Sequence, residues 1–323
     1  MDRPSLSVLN DLFRRGFTHI RLPVFHPDFT YGQFYSPDAI VYAEELLAEL
    51  KKLTEIGYIV TVDLHPDDEF NSLYRAVPQA GYNRLAAIWS HLSSLLSETS
   101  PDSVLIELLN EPDTDARTWQ SHATALVSSL RQQLPDHSFV VGPHGPMRHE
   151  SLAGFEPLRD PNLVYAIHYY DPFIFTHQGA EWLDQSDPVR SASGIPFPAR
   201  ADDLQVKELI ARLEANWKVE AAEEVRRIFE EPWTEHDVRN AFEKVHHWSL
   251  THGVPVIVNE FGVLTYHSPR RDRLRWLGSV AQMAEENCLG WAHWDFSDGF
   301  GIVDPQTRDL DAAAVNELIR RPR

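Results

Sequence analysis

Residues 104–112 have the sequence Val104-Leu105-Ile106-Glu107-Leu108-Leu109-Asn110-Glu111-Pro112. A mainly apolar run of this length, bounded by a serine and a proline, predicts a buried strand. This strand is expected to carry Glu111 to an edge of the sheet. Residues 255–260 form a second apolar run, which also ends in Asn-Glu. Two buried strands that each end in a carboxylate indicate one site to which both contribute.

Strand and helix patterns alternate along the rest of the chain. Strands are predicted at residues 17–24, 58–64, 104–111, 137–141, 163–167, 255–260 and 288–294, and helices at 6–16, 36–57, 82–97, 117–134, 234–253, 268–287 and from 311. Strict alternation implies parallel strands joined by right-handed crossovers. An open doubly wound sheet is an alternative, although no Gly-rich phosphate turn follows any strand. Because polar residues end nearly every strand, the pattern favours a TIM-type (β/α)8 barrel, whose active site is built by the loops after the strands.

The length of the chain fits one α/β barrel. Its 323 residues, 43% of them hydrophobic, hold enough apolar material for a large core. We therefore expect a single barrel domain over residues 1–323. A long excursion at about 172–234, with a charged helical stretch at 202–231, interrupts the alternation. Loops of this length in a compact domain are usually functional.

Composition excludes several classes of partner. The formal net charge is −19, whereas nucleic-acid binding depends on clustered Lys and Arg, so we expect no nucleic-acid partner. The single cysteine, Cys288, allows no intrachain disulfide. No apolar segment approaches the ~20 residues that span a bilayer, and residues 1–4 lack the apolar region of a signal peptide. We therefore expect no membrane partner, and the sequence leaves the cellular location unknown.

Polar side chains stand at the ends of the predicted strands. They are Arg21, His65, Asn110, Glu111, His168, Tyr170, Glu260 and Trp294. In a barrel these side chains converge on one rim. Hydrolysis of an acetal needs two carboxyl groups across a cleft, one protonated to donate to the leaving oxygen and one ionised to attack the anomeric carbon. Arg21 would hold the nucleophile anionic and Asn110 would bond a sugar hydroxyl. Tyr170 or His168 would orient a carboxylate.

Six short motifs at these strand ends together resemble glycoside hydrolase family 5, in the clan of retaining barrel glycosidases. They are Arg21-Leu22-Pro23-Val24, Leu64-His65, Leu109-Asn110-Glu111-Pro112, His168-Tyr169-Tyr170, Asn259-Glu260-Phe261-Gly262 and Trp291-Ala292-His293-Trp294. Each motif alone is weak, but six in this order at strand ends are highly specific. The resemblance runs from about residue 7 to the end of the chain.

The resemblance implies a role for each strand-end residue. Glu111 would be the general acid/base and Glu260 the nucleophile. The substrate-binding and supporting positions of the family match Arg21, His65, Asn110, His168, Tyr170 and Trp294. Since the family retains anomeric configuration, the two carboxyl groups are expected about 5–5.5 Å apart. The family needs no metal or organic cofactor, and the sequence has no closely spaced His/Asp cluster that would favour a metal at His65, His168 and His293.

The sequence departs from the family pattern at its beginning. Residues 17–24 match the second strand of the family barrel, so the first strand is expected to be missing from this chain. A truncation, a misplaced gene start or another segment that fills the gap would each explain this. Members of the family are usually secreted, so a missing upstream segment with a secretion signal is a further alternative.

The expected activity is that of a retaining endo-β-glycosidase on a polysaccharide or oligosaccharide, with endo-β-1,4-glucanase (cellulase) first and a monomer as the working form. β-Mannanase, β-1,3-glucanase and xyloglucanase are alternatives within the family, because specificity resides in loop shape. A non-catalytic glycan-binding barrel is the alternative from another class. Three tryptophans in or beside the excursion would either stack on sugar rings or pack on the barrel: Trp182, Trp217 and Trp233. Glu107 lies four residues before Glu111 on the same predicted strand, so both side chains face the same side. Glu107 is therefore expected inside the barrel, paired with a basic side chain.

Overall fold

The structure is a computed structural model that describes residues 4–304 and 307–319. Residues 1–3, which begin the segment expected to lack a signal-peptide pattern, lie outside this range. Within it, seven strands form one sheet whose strand order follows the sequence. The strands are β1 (His19–Val24), β2 (Ile59–Leu64), β3 (Val104–Glu107), β4 (Phe139–Val141), β5 (Leu163–Tyr169), β6 (Val256–Phe261) and β7 (Gly290–Trp291).

The strand order distinguishes between the two predicted architectures. Neighbouring strands run parallel from β1 to β5. A doubly wound sheet would reverse its order at a switch point, whereas this order is sequential from β1 to β7. The predicted class, a parallel α/β sheet of the TIM-barrel type, is confirmed. Seven strands in the described residues also fit a barrel without its first strand.

Helices connect the strands as the alternation predicts. In the described part of the chain they are α1 (Leu6–Arg15), α2 (Pro27–Thr30), α3 (Pro37–Ile56), α4 (Asp68–Ala76), α5 (Pro78–Leu96), α6 (Ala116–Leu130), α7 (His149–Leu152), α8 (Phe173–Thr176), α9 (Pro188–Ser191), α10 (Leu204–Ala215), α11 (Val219–Ile228), α12 (Glu235–His252), α13 (Arg270–Glu286) and α14 (Ala312–Leu318). Local capping explains α3, which begins where the Ser36 hydroxyl accepts from Ala39 N and ends at Gly57 with φ 114°. None of these helices is long and apolar enough to cross a membrane.

Two strands are shorter than predicted. β3 ends at Glu107 instead of residue 111, although Leu108 N and Asn110 N still donate to Val140 O and Leu64 O. Glu111 itself has a φ of 42°, outside the extended region. β7 covers two residues of the predicted range 288–294. Cys288, with a φ of 56°, is likewise outside the extended region. Both predicted ranges treated the whole run as extended, which the angles at Glu111, the last residue of one range, and Cys288, the first residue of the other, contradict.

Two helical segments also differ from the prediction. The segment between β2 and α5, in which no helix was predicted from the sequence, contains α4, whose N-cap Asp67 accepts from Phe70 N at 2.8 Å. The charged stretch at 202–231 is divided into α10 and α11. Trp217 lies between them with a φ of 60°, which interrupts the helix.

The chain folds as two compact units. The first contains the described residues up to 168 together with 248–259. The second contains residues 169–247 and the described residues from 260 onward. The unit boundaries fall within β5 and β6, so each of these strands contributes residues to both units.

Two buried tryptophans of the first unit hold the backbone where strands end. The indole N–H of Trp89 in α5 donates to Leu108 O at 2.8 Å, just after β3. The indole N–H of Trp119 in α6 donates to Gly142 O at 2.8 Å, just after β4. Both rings are fully buried, so packing of the helices and positioning of the strand ends depend on the same side chains.

The excursion forms an apolar core of its own within the second unit. Buried side chains from α8 to α11 and the loops between them pack together, among them Ile174, Val189, Ile195, Val206, Leu209 and Val225. Trp233 packs against this cluster and donates from Nε1 to Ile228 O at 3.0 Å. The segment that follows β5 is therefore a folded subassembly, and Trp233 is one of its packing residues.

Burial shifts the pKa of several groups in the folded chain. Burial, reinforced by the charge of Arg21, lowers the pKa of His19 to about 4. Burial also lowers the pKa of His177 and of His293 to about 3. Burial has the opposite effect on Asp295, because it raises the pKa of the carboxyl group to about 6.

The free energy of unfolding is expected to decrease as pH falls from about 6.5 to about 4. In this window the unfolded chain binds protons on the three histidines that the folded chain excludes, while Asp295 binds one proton more in the folded chain. The net uptake of about two protons by these four groups on unfolding corresponds to about 2–3 kcal/mol per pH unit. Urea unfolding at several pH values measures this slope. His19→Gln should reduce it by about one proton, and a slope of zero in the wild type would contradict the prediction.

Candidate active site

Glu111 follows β3 at a sharp bend of the backbone. Its φ of 42° turns the chain out of the extended conformation, and the preceding Asn110 N still donates to Leu64 O at 2.9 Å. At the bend, Glu111 N donates to the sulfur of Met147 at 3.4 Å. The carboxylate oxygen Oε1 accepts from His168 Nδ1 at 2.8 Å, and 39% of the side chain is exposed. The carboxylate is thus fixed in position and accessible.

The charges around Glu111 favour its ionised form. Burial raises the pKa of its carboxyl group, but the hydrogen bond and charge of His168, with the charges of His65 and Arg21, outweigh burial and leave the pKa below its usual value. In this state the carboxylate is suited to accept a proton. A role as proton donor requires a higher pKa, and a bound ligand that excludes water from the carboxyl group would raise it.

A buried network around Arg21 supports the residues next to the two candidate carboxylates. Arg21 donates to Glu107 through Nε at 2.7 Å and Nη2 at 2.9 Å, and Nη2 also lies 3.0 Å from Asp63 Oδ2 and 2.9 Å from Asn110 Oδ1. Asn259 Nδ2 donates to Glu107 Oε1 at 2.7 Å. Burial raises the pKa of Glu107 while Arg21 opposes that shift. The predicted pairing of Glu107 with a basic side chain is present here.

The hydrogen bonds of His65 define its tautomer. His65 Nδ1 lies 2.9 Å from Asp63 Oδ2, and a carboxylate oxygen only accepts, so Nδ1 carries the hydrogen. The other ring nitrogen, Nε2, then accepts from Asn110 Nδ2 at 3.3 Å. Since Asn110 Oδ1 accepts from Arg21, the orientation of the amide is determined on both sides. The amide is held in place before any ligand arrives.

Glu260 lies in β6 and belongs to the second unit. Its side chain is buried, and Oε2 accepts from the Tyr170 hydroxyl at 3.0 Å. Tyr170 is fixed in turn, because its carbonyl accepts from Thr176 Oγ1 at 2.6 Å and its ring packs edge-on against His177 at 4.9 Å. This hydrogen bond fixes the orientation of the Glu260 carboxylate.

Trp294 is placed beside the same strand by its backbone. Its N–H donates to Phe261 O at 2.9 Å. A Cβ atom at Gly262 would lie 2.0 Å from the carbonyl oxygen of Trp294, so the close approach of the two segments requires glycine there. The Trp294 ring packs against a small apolar cluster formed by Ala180, Leu264 and Phe300.

The structure places five of the eight predicted site residues in the first unit and three in the second. In the first, hydrogen bonds join Arg21, Asn110 and His65, and a separate one joins His168 to Glu111. In the second, Tyr170 bonds Glu260, and Trp294 follows the next strand. In the described part of the chain, neither His65 nor His293 belongs to a group of three side chains that could hold a metal ion. The catalytic and binding roles of the eight residues stay predictions.

Three residues that contact the site were not predicted from the sequence. Asp63 lies on β2, two residues before His65. Residues two apart on a strand face the same side, so the sequence could have indicated that Asp63 contacts His65. Met147 and His177 carry no such signal, because one acts through a sulfur in a distant loop and the other through ring packing on Tyr170. Trp182 is 61% exposed, with its ring 6.2 Å from His177, so stacking on a sugar stays a prediction for it.

Comparison with known protein families identifies one that covers most of the chain. Its description is Cellulase (glycosyl hydrolase family 5), and it matches residues 3–299. Endoglucanase 3 of Fibrobacter succinogenes is 27% identical over 248 residues, which are 75% of this chain and 37% of that protein. Endoglucanase C of Acetivibrio thermocellus is 23% identical over 316 residues, which are 95% of this chain and 88% of that protein. The chain therefore spans little more than a third of the Fibrobacter relative and most of the Acetivibrio one.

Solved structures show the same fold. The structure of Thermotoga maritima Cel5A in complex with mannotriose has a TM-score of 0.76 at 20% sequence identity and covers 98% of this chain and 91% of that one. At this level of identity the similarity establishes the fold, and function has to be argued from the site.

Proposed function

The chain belongs to glycosyl hydrolase family 5, whose pattern matches residues 3–299, and from this premise we propose that it is a retaining endo-β-1,4-glucanase in which Glu111 and Glu260 act on the same glycosidic bond. One observation carries the proposal. His168 bonds Glu111, and Tyr170, two residues further along the chain, bonds Glu260. Each candidate carboxylate thus has its hydrogen-bond partner in the same short segment of the chain, which supports a role for both in one reaction.

The proposed reaction proceeds in two displacements. In the first, a Glu260 oxygen bonds to the anomeric carbon as the bond to the leaving oxygen breaks, and Glu111 gives its proton to that oxygen. In the second, Glu111 takes a proton from water, whose oxygen displaces Glu260 from the anomeric carbon. Each displacement inverts the anomeric carbon, so the product retains the original configuration.

The surrounding side chains support this division of roles. The Tyr170 hydroxyl donates to Glu260 Oε2 and orients the carboxylate that would act as nucleophile. The Glu111 carboxylate, whose pKa lies below its usual value, is the base of the second displacement. Asn110, fixed by Arg21 and His65, has a second amide hydrogen with which to bond a sugar hydroxyl. We also propose that residues 1–323 act as one catalytic domain and as a monomer.

β-Mannanase activity is the second candidate. The observation that favours it is the mannotriose bound to Thermotoga maritima Cel5A, which has the same fold. The conserved chemistry of acetal hydrolysis is identical for glucan and mannan, so the two substrates are distinguished by contacts to the sugar hydroxyls.

A panel of polysaccharides tests the proposal. We expect the fastest release of reducing ends from a soluble β-1,4-glucan, slower release from mannan and xyloglucan, and a rapid fall in viscosity that indicates endo action. NMR at early times should show the β-anomer as the first product. An α-anomer would contradict the retaining mechanism. Binding of a glucan without release of any sugar would instead indicate a glycan-binding barrel.

A further inference from the structure

The loop between β1 and α3 presents two exposed aromatic side chains. Tyr31 is 56% exposed and Tyr35 is 78% exposed. The loop follows the carboxyl end of a parallel strand, at the face where the loops of such barrels build their active sites. Neither tyrosine has a role in the site described above.

Tyr31 is tied to the next loop on the same face. Its hydroxyl donates to Glu69 Oε2, and the neighbouring Thr30 Oγ1 donates to Asp67 Oδ1 at 3.3 Å. Asp67 and Glu69 cap and begin α4, which follows β2. The tyrosine hydroxyl is thereby held at its far end, while more than half of the side chain faces solvent.

The loop that carries Tyr31 is anchored by buried aromatic side chains. Phe29 and Phe70 are fully buried, and Phe25 packs edge-on against them, with ring centroids 6.1 Å and 6.2 Å apart. The Ser36 hydroxyl donates to Asp28 and closes the loop. Because the ring is held before a ligand arrives, binding to it would lose little conformational entropy.

The position of Glu69 places Tyr31 near the reacting groups. Glu69 follows His65 by four residues, which is at most about 14 Å of extended chain. His65 in turn contacts Asn110. Tyr31 is therefore within reach of a short oligosaccharide that binds at Asn110.

We propose that the ring of Tyr31 is a stacking platform for a pyranose unit of a β-glucan chain, at a distance from the bond that is cleaved. A pyranose presents a face of C–H groups, and an aromatic ring has an electron-rich face that complements it. The inference rests on the proposed function, because the ligand is the glucan of that reaction. It assigns to this site a preference for long over short chains.

Tyr35 provides the matched control. It belongs to the same loop and is more exposed than Tyr31, but its ring packs edge-on against His91 of α5, at 5.2 Å. It makes its contact on the helix side of the loop and not with the segment after β2. If any exposed tyrosine of this loop contributed to substrate binding, both Tyr31→Ala and Tyr35→Ala would weaken binding. If the subsite is at Tyr31, only Tyr31→Ala weakens it.

The test compares Tyr31→Ala and Tyr35→Ala on cello-oligosaccharides from cellotriose to cellohexaose. For Tyr31→Ala we expect kcat/KM on cellohexaose to fall about tenfold, mainly through KM, with little change on cellotriose. Tyr31→Trp should restore most of the loss, and Tyr35→Ala should match the wild type at every length. An equal loss at all lengths, or the same loss in Tyr35→Ala, would overturn the proposal.

Calorimetric titration of cellohexaose separates this inference from the proposed function. The titration compares Glu260→Gln with the double variant that carries Glu260→Gln and Tyr31→Ala. Both lack the nucleophile, so the substrate stays intact during the measurement. A wild type that cleaves no β-glucan refutes the proposed function, and equal cellohexaose affinity with and without the Tyr31 ring refutes the platform. The inference requires an affinity about tenfold lower without the ring.

Discussion

Replacing Glu260 with glutamine is expected to lower kcat on cellohexaose by roughly 10 000-fold or more. The amide cannot attack the anomeric carbon, so the first displacement is lost. Its oxygen can still accept from the Tyr170 hydroxyl, which now lies 3.0 Å from Glu260 Oε2, so the shape of the site is preserved. Initial rates of sugar release, together with the thermal unfolding temperature, measure the effect. A variant that retains more than about 1% of the wild-type rate would exclude Glu260 as the nucleophile.

Truncation to alanine distinguishes the roles of the two carboxylates. With an aryl glycoside and added azide, Glu260→Ala should give the inverted α-glycosyl azide, because azide takes the space and the role of the missing nucleophile. Glu111→Ala should give the retained β-glycosyl azide, because Glu260 still forms the covalent intermediate that azide then displaces. The same anomer from both variants would contradict the assignment. The product anomer reports chemistry, so partial loss of stability does not affect the interpretation.

The strands were predictable because their composition reflects their surroundings. A strand that is buried on both faces of a parallel sheet needs apolar side chains throughout, and the loop after it provides the polar ones. The observed bounds of β1, β2 and β6 therefore lie within two residues of the predicted ranges. The same logic located the eight candidate residues, since strand ends of a barrel share one face.

The backbone of the site was not predictable from local pattern. The φ of 42° at Glu111 depends on contacts from elsewhere in the chain, among them the sulfur of Met147 and the imidazole of His168. Propensity describes a residue in its own segment, whereas these contacts join segments that are distant in sequence. The same holds for Arg21, which was expected to hold the nucleophile anionic. In the structure its guanidinium donates to Glu107 and to Asn110.

Replacing Arg21 with glutamine is expected to lower the free energy of unfolding by about 3–5 kcal/mol. Arg21, Asp63 and Glu107 are almost fully buried, and the substitution leaves two carboxyl groups without their cation. Urea unfolding at neutral pH measures the loss. Arg226→Gln is the matched control, because its ion pair with Glu214 is exposed on both sides and its loss should change stability by less than about 1 kcal/mol.

The pH dependence of this loss identifies its cause. Burial raises the pKa of Glu107, and Arg21 opposes that shift, so removing Arg21 allows the pKa to rise further. A carboxyl group whose pKa is raised in the folded chain contributes stability at low pH, which is lost as pH rises through the folded pKa. The difference in stability between the wild type and Arg21→Gln should therefore be larger at about pH 8 than at about pH 5. Using the difference removes the contributions of His177 and His293, which both proteins share. The pKa of His19 rises when Arg21 is removed, which also makes the difference smaller at low pH.

The double variant Arg21→Gln with Glu107→Gln completes the prediction. It removes the cation and one of the carboxylates together, so it should be less destabilised than the sum of the two single variants. If the loss arose only from contacts of the Arg21 side chain with residues other than Glu107, the double variant would be as unstable as that sum, and the deficit would be the same at both pH values. Either result would contradict an electrostatic origin. The expected pattern would show that the buried charges stabilise the positions of Asn110 and Asn259. Glu111 and Glu260 follow these two residues in the sequence, so their positions depend on the same charges.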